Sequence, residues 1–387
     1  MKKIVASVLI SIAGFSLIGC SQLSGFGQDN HPKPSPLIPF TSTAQVNRLW
    51  TASAGNGSAN MQITLPLAAE QEVVYVSNYN GVVAAYDINN GKRFWSIQTH
   101  AKITSGPGVG NNLVAVGTSD GKVIALDKTT GKLRWQRTLS TQILAAPQIA
   151  ADKVIVKTID NKLYGLNATD GGISWQYDHS PSQYMLRVSS VPYVSSDKVV
   201  AGFNDGKLAA VKLNNGELIW ERTIAMPQGA SLVQQLIDVD TSPLIINKTL
   251  YTAAYQGNLL AMSADGRELL WQRPFSTYNN LVATNNLLIA TDTDSQVWAF
   301  NRQTGKVEWR QPQLSARRIT GPALYNQTIV VGDREGYLHW LALDDGHFVA
   351  RVKVDSDGIV ATPIVVNNII VVVTKAGKLA AYRFGRV

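Results

Sequence analysis

The residues of this sequence that could do chemistry are few and scattered. Five histidines, His31, His100, His179, His339 and His347, offer imidazoles for acid–base work or metal binding. No two of them stand at a spacing that would present a pair of metal ligands. Asp292-Thr293-Asp294 has the carboxylate density of a cation loop, yet it lacks the Gly and the distal Glu of a calcium loop and reads as a turn. A nucleophile elbow of the Gly-x-Ser-x-Gly type, a phosphate loop and a dinucleotide fingerprint are all absent. Cys20 is the one thiol of the chain. Nothing here pairs a nucleophile with a base, so the chain is read as a binding protein and not as an enzyme.

The frame that must position any binding residue is a repeat. Asp120-Gly121-Lys122-Val123-Ile124-Ala125-Leu126-Asp127 followed by Thr129-Thr130-Gly131-Lys132-Leu133-Arg134-Trp135 reads as strand, turn, strand. Copies of its glycine position fall at Gly81, Gly121, Asn161, Gly206, Gly257, Ser295, Gly336 and Gly377, 38 to 51 residues apart. A period near 40 built from short strands predicts an all-β, eight-bladed β-propeller of four-stranded antiparallel blades. An inner strand starts near Pro66, Pro107, Pro147, Pro192, Pro243, Pro322 and Pro363, and the outer strand carries Trp95, Trp135, Trp175, Trp220, Trp271 or Trp309. Ala350 stands where the seventh repeat would have its tryptophan. A tryptophan at a fixed place in each repeat is expected to fill space between blades. Hydrophobic residues make up 45% and charged residues 16% of the chain, which suits a well-buried β protein. The net charge of +8 falls to +6 without Lys2 and Lys3, and no Lys/Arg run exceeds two, so nucleic acid is not expected as a partner.

Residues 1–19 read as a signal peptide: Met1-Lys2-Lys3, then an apolar stretch from Ile4 to Ile18 too short to span a bilayer. Leu17-Ile18-Gly19-Cys20 resembles the bacterial lipobox, which implies cleavage before Cys20 and acylation of its thiol. Ser21 after the cysteine, rather than Asp, implies sorting to the outer membrane of a Gram-negative cell, with the body in the periplasm and contact with the membrane through the lipid alone. Residues 20–45 read as the lipidated cysteine and a flexible tether, with Pro32, Pro34, Pro36 and Pro39 stiffening it. Residues 46–387 form the propeller. Val46-Asn47-Arg48-Leu49-Trp50 resembles an outer strand, whereas the eighth repeat stops after three strands, so the N-terminal strand is expected to complete the last blade.

Two connections between blades are long. From Trp175 to Pro192 is 17 residues and from Trp220 to Pro243 is 23, against about twelve elsewhere. Both are expected on the face that carries the second-to-third turns, on either side of one blade, and long loops on a rigid frame are where function usually sits.

Ala-Leu-Asp-x-x-Thr-Gly-Lys-x-x-Trp, at Ala125 to Trp135, resembles the repeat of pyrroloquinoline quinone (PQQ) dehydrogenases and their non-enzymatic relatives. The quinone enzymes use an adjacent Cys-Cys pair, which this chain lacks, so no cofactor is expected and a periplasmic PQQ-dependent dehydrogenase remains the alternative. Among the relatives, a lipobox-bearing chain of eight repeats is most similar to the BamB family. That resemblance implies a scaffold of the outer-membrane β-barrel assembly machinery that binds the POTRA domains of the barrel subunit BamA. It also implies contact residues. Tyr184-Met185-Leu186-Arg187 matches a Leu-x-Leu-Arg motif with Tyr184 in place of the first Leu, and Asp238-Val239-Asp240-Thr241 matches Asp-Val-Asp-Thr unchanged. Tyr184, Leu186, Arg187, Asp238 and Asp240 are thus the expected partner-binding residues. The two acids either meet a basic partner residue, hold Arg187 in place, or cap the turn before Pro243. Unfolded outer-membrane proteins are a further possible partner, bound at free strand edges as a general peptide-binding chaperone would bind them.

Overall fold

The structure is a computed structural model that describes residues 32–58, 61, 63–180, 190–226 and 237–386. Among the described residues there are thirty-two strands and no helix, arranged as eight four-stranded antiparallel sheets. Each sheet is one blade of a propeller. In seven of them the strand order follows the chain. The eighth joins the two ends of the chain: its outer strand is Ala44–Ser53, paired antiparallel with Lys378–Arg386, and its inner strands are Ile369–Val373 and Ile364–Val366. The inner strands of the first and eighth blades touch, which closes the ring as the sequence predicts.

The repeat is explained by one turn and one side chain. In the second blade the Asp127 carboxylate accepts from the amides of Thr129 (3.1 Å) and Thr130 (2.8 Å). Arg134 and Thr130 bond to it as well and pull its pKa down to about 2. Gly131 closes the turn at φ +71°, a conformation that disfavours any residue with a Cβ. That glycine also lies flat beneath Trp95 of the preceding blade: a Cβ on it would come within 2.6 Å of the indole. The Trp95 Nε1 donates to the Lys128 carbonyl of the same turn (2.9 Å). A β-bulge directly before each outer-strand tryptophan, as between Leu133 and Trp135, bends the strand and aims the ring across the gap.

The same pairing joins the blades around the ring. Trp50, Trp95, Trp135, Trp175, Trp220, Trp271 and Trp309 cover Gly91, Gly131, Gly171, Gly216, Gly266, Gly305 and Gly346 in turn. The pattern stops between the seventh and eighth blades for a topological reason. The outer strand of the eighth blade comes from the chain's N-terminal end, so that blade has no third-to-fourth turn and no glycine to receive an indole. Ala350 occupies the vacated position and is buried. The seam is filled instead by Trp340 stacked on Phe384 (6.0 Å, 10°) and by Tyr325, whose hydroxyl donates to the Asn368 and Phe384 carbonyls (both 3.2 Å).

The segment read as tether lies against the seventh blade from Ser35 onward. The Ser35 amide donates to the Ser315 carbonyl (3.0 Å), and an Arg317 Nη donates to the Ser35 carbonyl (2.9 Å). Phe40 stacks on Phe348 at 5.5 Å with the Arg351 guanidinium over both rings, and the Thr43 amide donates to the Val349 carbonyl (3.0 Å). Composition alone predicts an unattached stretch; arginines almost 300 residues away supply the attachment.

This packing makes three stability predictions. Gly131→Ala must both strain the backbone and displace Trp95, and is expected to cost on the order of 2–4 kcal/mol in urea unfolding. Gly385→Ala, with open space where the Cβ would stand, is the matched control and is expected to be neutral. Trp50→Ala is expected to cost about 3–5 kcal/mol. A chain that begins after Ser53 should melt well below one that begins at Ala44; equal melting temperatures would contradict closure by the N-terminal strand.

Candidate partner-binding site

The loop that enters a blade lies against that blade's own second-to-third turn. Ser119 donates its amide to the Lys102 carbonyl (2.9 Å), Ile159 to Gln142 (3.1 Å), Tyr255 to Asp238 (2.9 Å) and Arg334 to Arg317 (3.2 Å). The two long connections therefore share one face, and both flank the fourth blade, whose strands run from Tyr193 to Thr223. Tyr184, Leu186 and Arg187, in 181–189, lie outside the described residues, as does Cys20. The feet of both loops are described: Ser190 and Val191 for the first, Ile237 to Ser242 for the second.

Those feet are tied to each other. The Val191 amide donates to Ser242 Oγ (3.0 Å), and the Val239 amide donates to the Phe203 carbonyl (3.2 Å). Gly202 makes this approach possible, since a Cβ there would stand 2.6 Å from the Val239 side chain. Asp238 and Asp240 flank Val239 and are each only 3% exposed. Both acids are turned away from solvent, and their charges act on the buried ammonium of Lys157. Burial pushes the Asp238 carboxyl up to about 6, against the pull of Lys157. Burial, and then the charge of Asp238, raises Asp240 well above the usual aspartate range. Burial likewise lowers the Lys157 ammonium, while the two acids work to keep it charged. Neither oxygen of Asp240 has a hydrogen-bond partner among the described residues.

Beside this cluster lies a second set of charges at the entry of the first loop. His179 stacks on Phe203 (4.1 Å) and bonds through Nε2 to Asp205 (2.8 Å), with Glu221 3.3 Å from its Nδ1. Lys207 completes the set at 2.9 Å from Glu221. Burial opposes the charge on Asp205, but His179 and Lys207 hold its pKa below the ordinary value. Sequence reasoning missed both Lys157 and His179. Their one signal was position: Lys157 is a charged residue closing an otherwise apolar strand run, and His179 directly precedes a long connection. Asp344, Asp345 and His347 also come together, but at an exposed third-to-fourth turn where the Asp345 carboxylate accepts from the His347 amide (3.0 Å). That is the turn chemistry seen at Asp127 in the second blade.

The repeat and the propeller built from it are shared with proteins of named role. The family model described as "Outer membrane protein assembly factor BamB" matches residues 79–311. A protein of that name from Legionella pneumophila is 39% identical over 364 residues, which cover 93% of this chain and 94% of the relative. Another from Alkalilimnicola ehrlichii is 44% identical over 336 residues, covering 87% and 88%. The crystal structure of BamB from Moraxella catarrhalis superposes with a TM-score of 0.80 at 26% identity, covering 88% of this chain and all of that one. A quinohemoprotein alcohol dehydrogenase from Pseudomonas putida shares the fold (TM-score 0.69) at only 13% identity. The close relatives are named assembly factors and not enzymes. The chain belongs to the BamB family of outer membrane protein assembly factors, and it is not an enzyme.

Proposed function

We propose that this chain is a lipid-anchored, non-catalytic scaffold of the outer-membrane β-barrel assembly machinery. It faces the periplasm and binds the POTRA domains of a BamA-like barrel subunit through the two loops that flank its fourth blade. The observation that carries this reading is the joining of the two loop feet, Val191 to Ser242, on one face of an otherwise regular ring. Arg187 supplies a planar donor suited to a bidentate carboxylate contact, and Leu186 an apolar anchor beside it. The inward placement of Asp238 and Asp240 supports the role of shaping the loop base over that of touching the partner. A second reading, capture of unfolded strands, draws on the outer strands, whose free edges expose Leu133, Ile173, Leu218, Ile219, Leu269 and Leu270.

Arg187→Ala and Leu186→Ala are each expected to weaken POTRA binding by about 1–4 kcal/mol with an unchanged circular dichroism spectrum. Unchanged binding in both would remove this face as the site. Cys20→Ala is expected to leave a folded protein that no longer fractionates with the outer membrane, because Cys20 is the only thiol and the propeller starts 24 residues later. Retention of that variant in the membrane fraction, at the wild-type level, would mean that the lipid is not the main anchor.

A further inference from the structure

We infer that Lys157 is a latch that joins the feet of the two long loops and so sets the spacing of the side chains proposed to grip the partner. The inference deepens the proposed function and rests on it. Lys157 closes the second strand of the third blade and is 5% exposed. The corresponding strands of the other blades end in Ser77, Gly117, Gly202, Ala253, Thr291, Gly332 and Val373. A charged residue stands at this position in the third blade alone, so the propeller itself does not require one.

What the position does elsewhere explains what the lysine adds. Ser77 Oγ donates to the Ser105 carbonyl (3.1 Å) and Thr291 Oγ1 to the Thr320 carbonyl (3.3 Å), each tying its blade to the loop that enters the next. Ser105 and Thr320 lie two residues before Pro107 and Pro322. Lys157 makes the matching bond to Ser190, two residues before Pro192, with its Nζ 3.2 Å from Ser190 Oγ. Its longer stem then carries the ammonium on, to the Gly202 carbonyl and over the Phe203 ring at 5.6 Å. Gly202 and Phe203 are the residues on which Val239 of the second loop's foot packs, at 2.6 Å from where a Gly202 Cβ would stand and 3.2 Å from amide to the Phe203 carbonyl, and the charges of Asp238 and Asp240 on either side of Val239 act on the ammonium. A hydroxyl at this position ties one loop; the ammonium also bonds the strand end that receives the foot of the second. The other charge that acts on Lys157 is Asp205, which is already engaged by His179 at 2.8 Å and lies 3.9 Å from Lys207. Asp238 and Asp240 therefore stand as the acids through which Lys157 acts on the second loop, and it is a positioning residue, not a contact residue.

The test uses the full lipoprotein in detergent. Lys157→Thr reproduces the first and sixth blades; combined with Asp238→Asn and Asp240→Asn it also removes the acids that would be left without a cation, so that the fold is preserved. Native-state hydrogen exchange is read at the described amides of Val191, Val239 and Tyr255, with Val116 in the second blade as reference. In the triple variant the three foot amides are expected to exchange about ten-fold faster with Val116 unchanged, and affinity for purified POTRA domains is expected to fall about ten-fold. Wild-type exchange at Val239 and Tyr255 would overturn the latch. The exchange measurement needs no partner. Faster exchange with undiminished POTRA affinity would overturn the claim that the latch sets the spacing of the gripping side chains, whereas faster exchange in the variant with no POTRA binding by the unaltered protein would leave the latch standing and remove the partner-binding reading instead.

Discussion

A tryptophan lying on a glycine is the contact on which the rest of this molecule depends. A four-stranded blade has two apolar faces and cannot bury either one alone. The blades here bury them against each other, and seven of the eight interfaces are keyed at their outer edge by an indole resting on the next blade's Thr-Gly or equivalent turn. The contact demands two things of the sequence at once: a residue without a Cβ at positive φ, and a large ring that a β-bulge turns toward it. Both demands recur at the same offset, which is why the repeat is visible at all. The contact also polices ring closure. Where the chain's ends meet there is no receiving turn, so the tryptophan is gone and Ala350, Trp340, Tyr325 and Phe384 make a differently built seam.

A ring keyed in this way constrains where variation can go. The short turns between third and fourth strands are held under an indole and cannot lengthen without opening an interface. The loops that run from one blade to the next, on the opposite face from those turns, carry no such load. The two long connections are of this second kind. They add length without disturbing a single Trp–Gly pair, although Trp220, between the fourth and fifth blades, has no partner for its Nε1 among the described residues, whereas Trp175 donates to Leu213 and Trp271 to Arg302. The rigid frame thus delivers the feet of two adjacent loops at a defined separation.

The fold was legible because its determinants are local and repeated: Asp127, Thr130, Gly131 and Trp135 lie within nine residues, and the glycine and the tryptophan return from blade to blade. Closure was legible for the same reason, since Trp50 in Val46 to Trp50 is an outer strand out of place. The site was legible only in outline. Loop length singled out two connections, and resemblance named residues within them, but the position of Lys157 at the end of an apolar run does not mark it out; a lysine at a strand end reads as a surface residue until Ser190, Gly202 and the two acids are brought around it. The docked stretch from Ser35 to Thr43 was hidden for a related reason. Its composition describes what it can do alone, whereas Arg317, Phe348 and Arg351 decide where it lies.

The charges beneath the loops are not there to stabilise the fold. Burial raises Asp238 to about 6, so the folded chain holds that proton more tightly than the unfolded one. The stability this contributes is fully present below the usual aspartate range and is lost as pH rises through about 6. Lys157 runs the other way: burial lowers its pKa, so keeping the ammonium charged is a cost at neutral pH that lifts only as pH climbs past its folded value. At neutral pH both groups therefore work against the folded state, and an apolar core of the same volume would be as stable or more so. What the charges supply is direction. An apolar cluster would hold Ser190 and Val239 near each other at any angle that packs. An ammonium bonded to Ser190 and Gly202 and facing two acids on either side of Val239 has few arrangements that leave its charge compensated, and each of them places both loop feet.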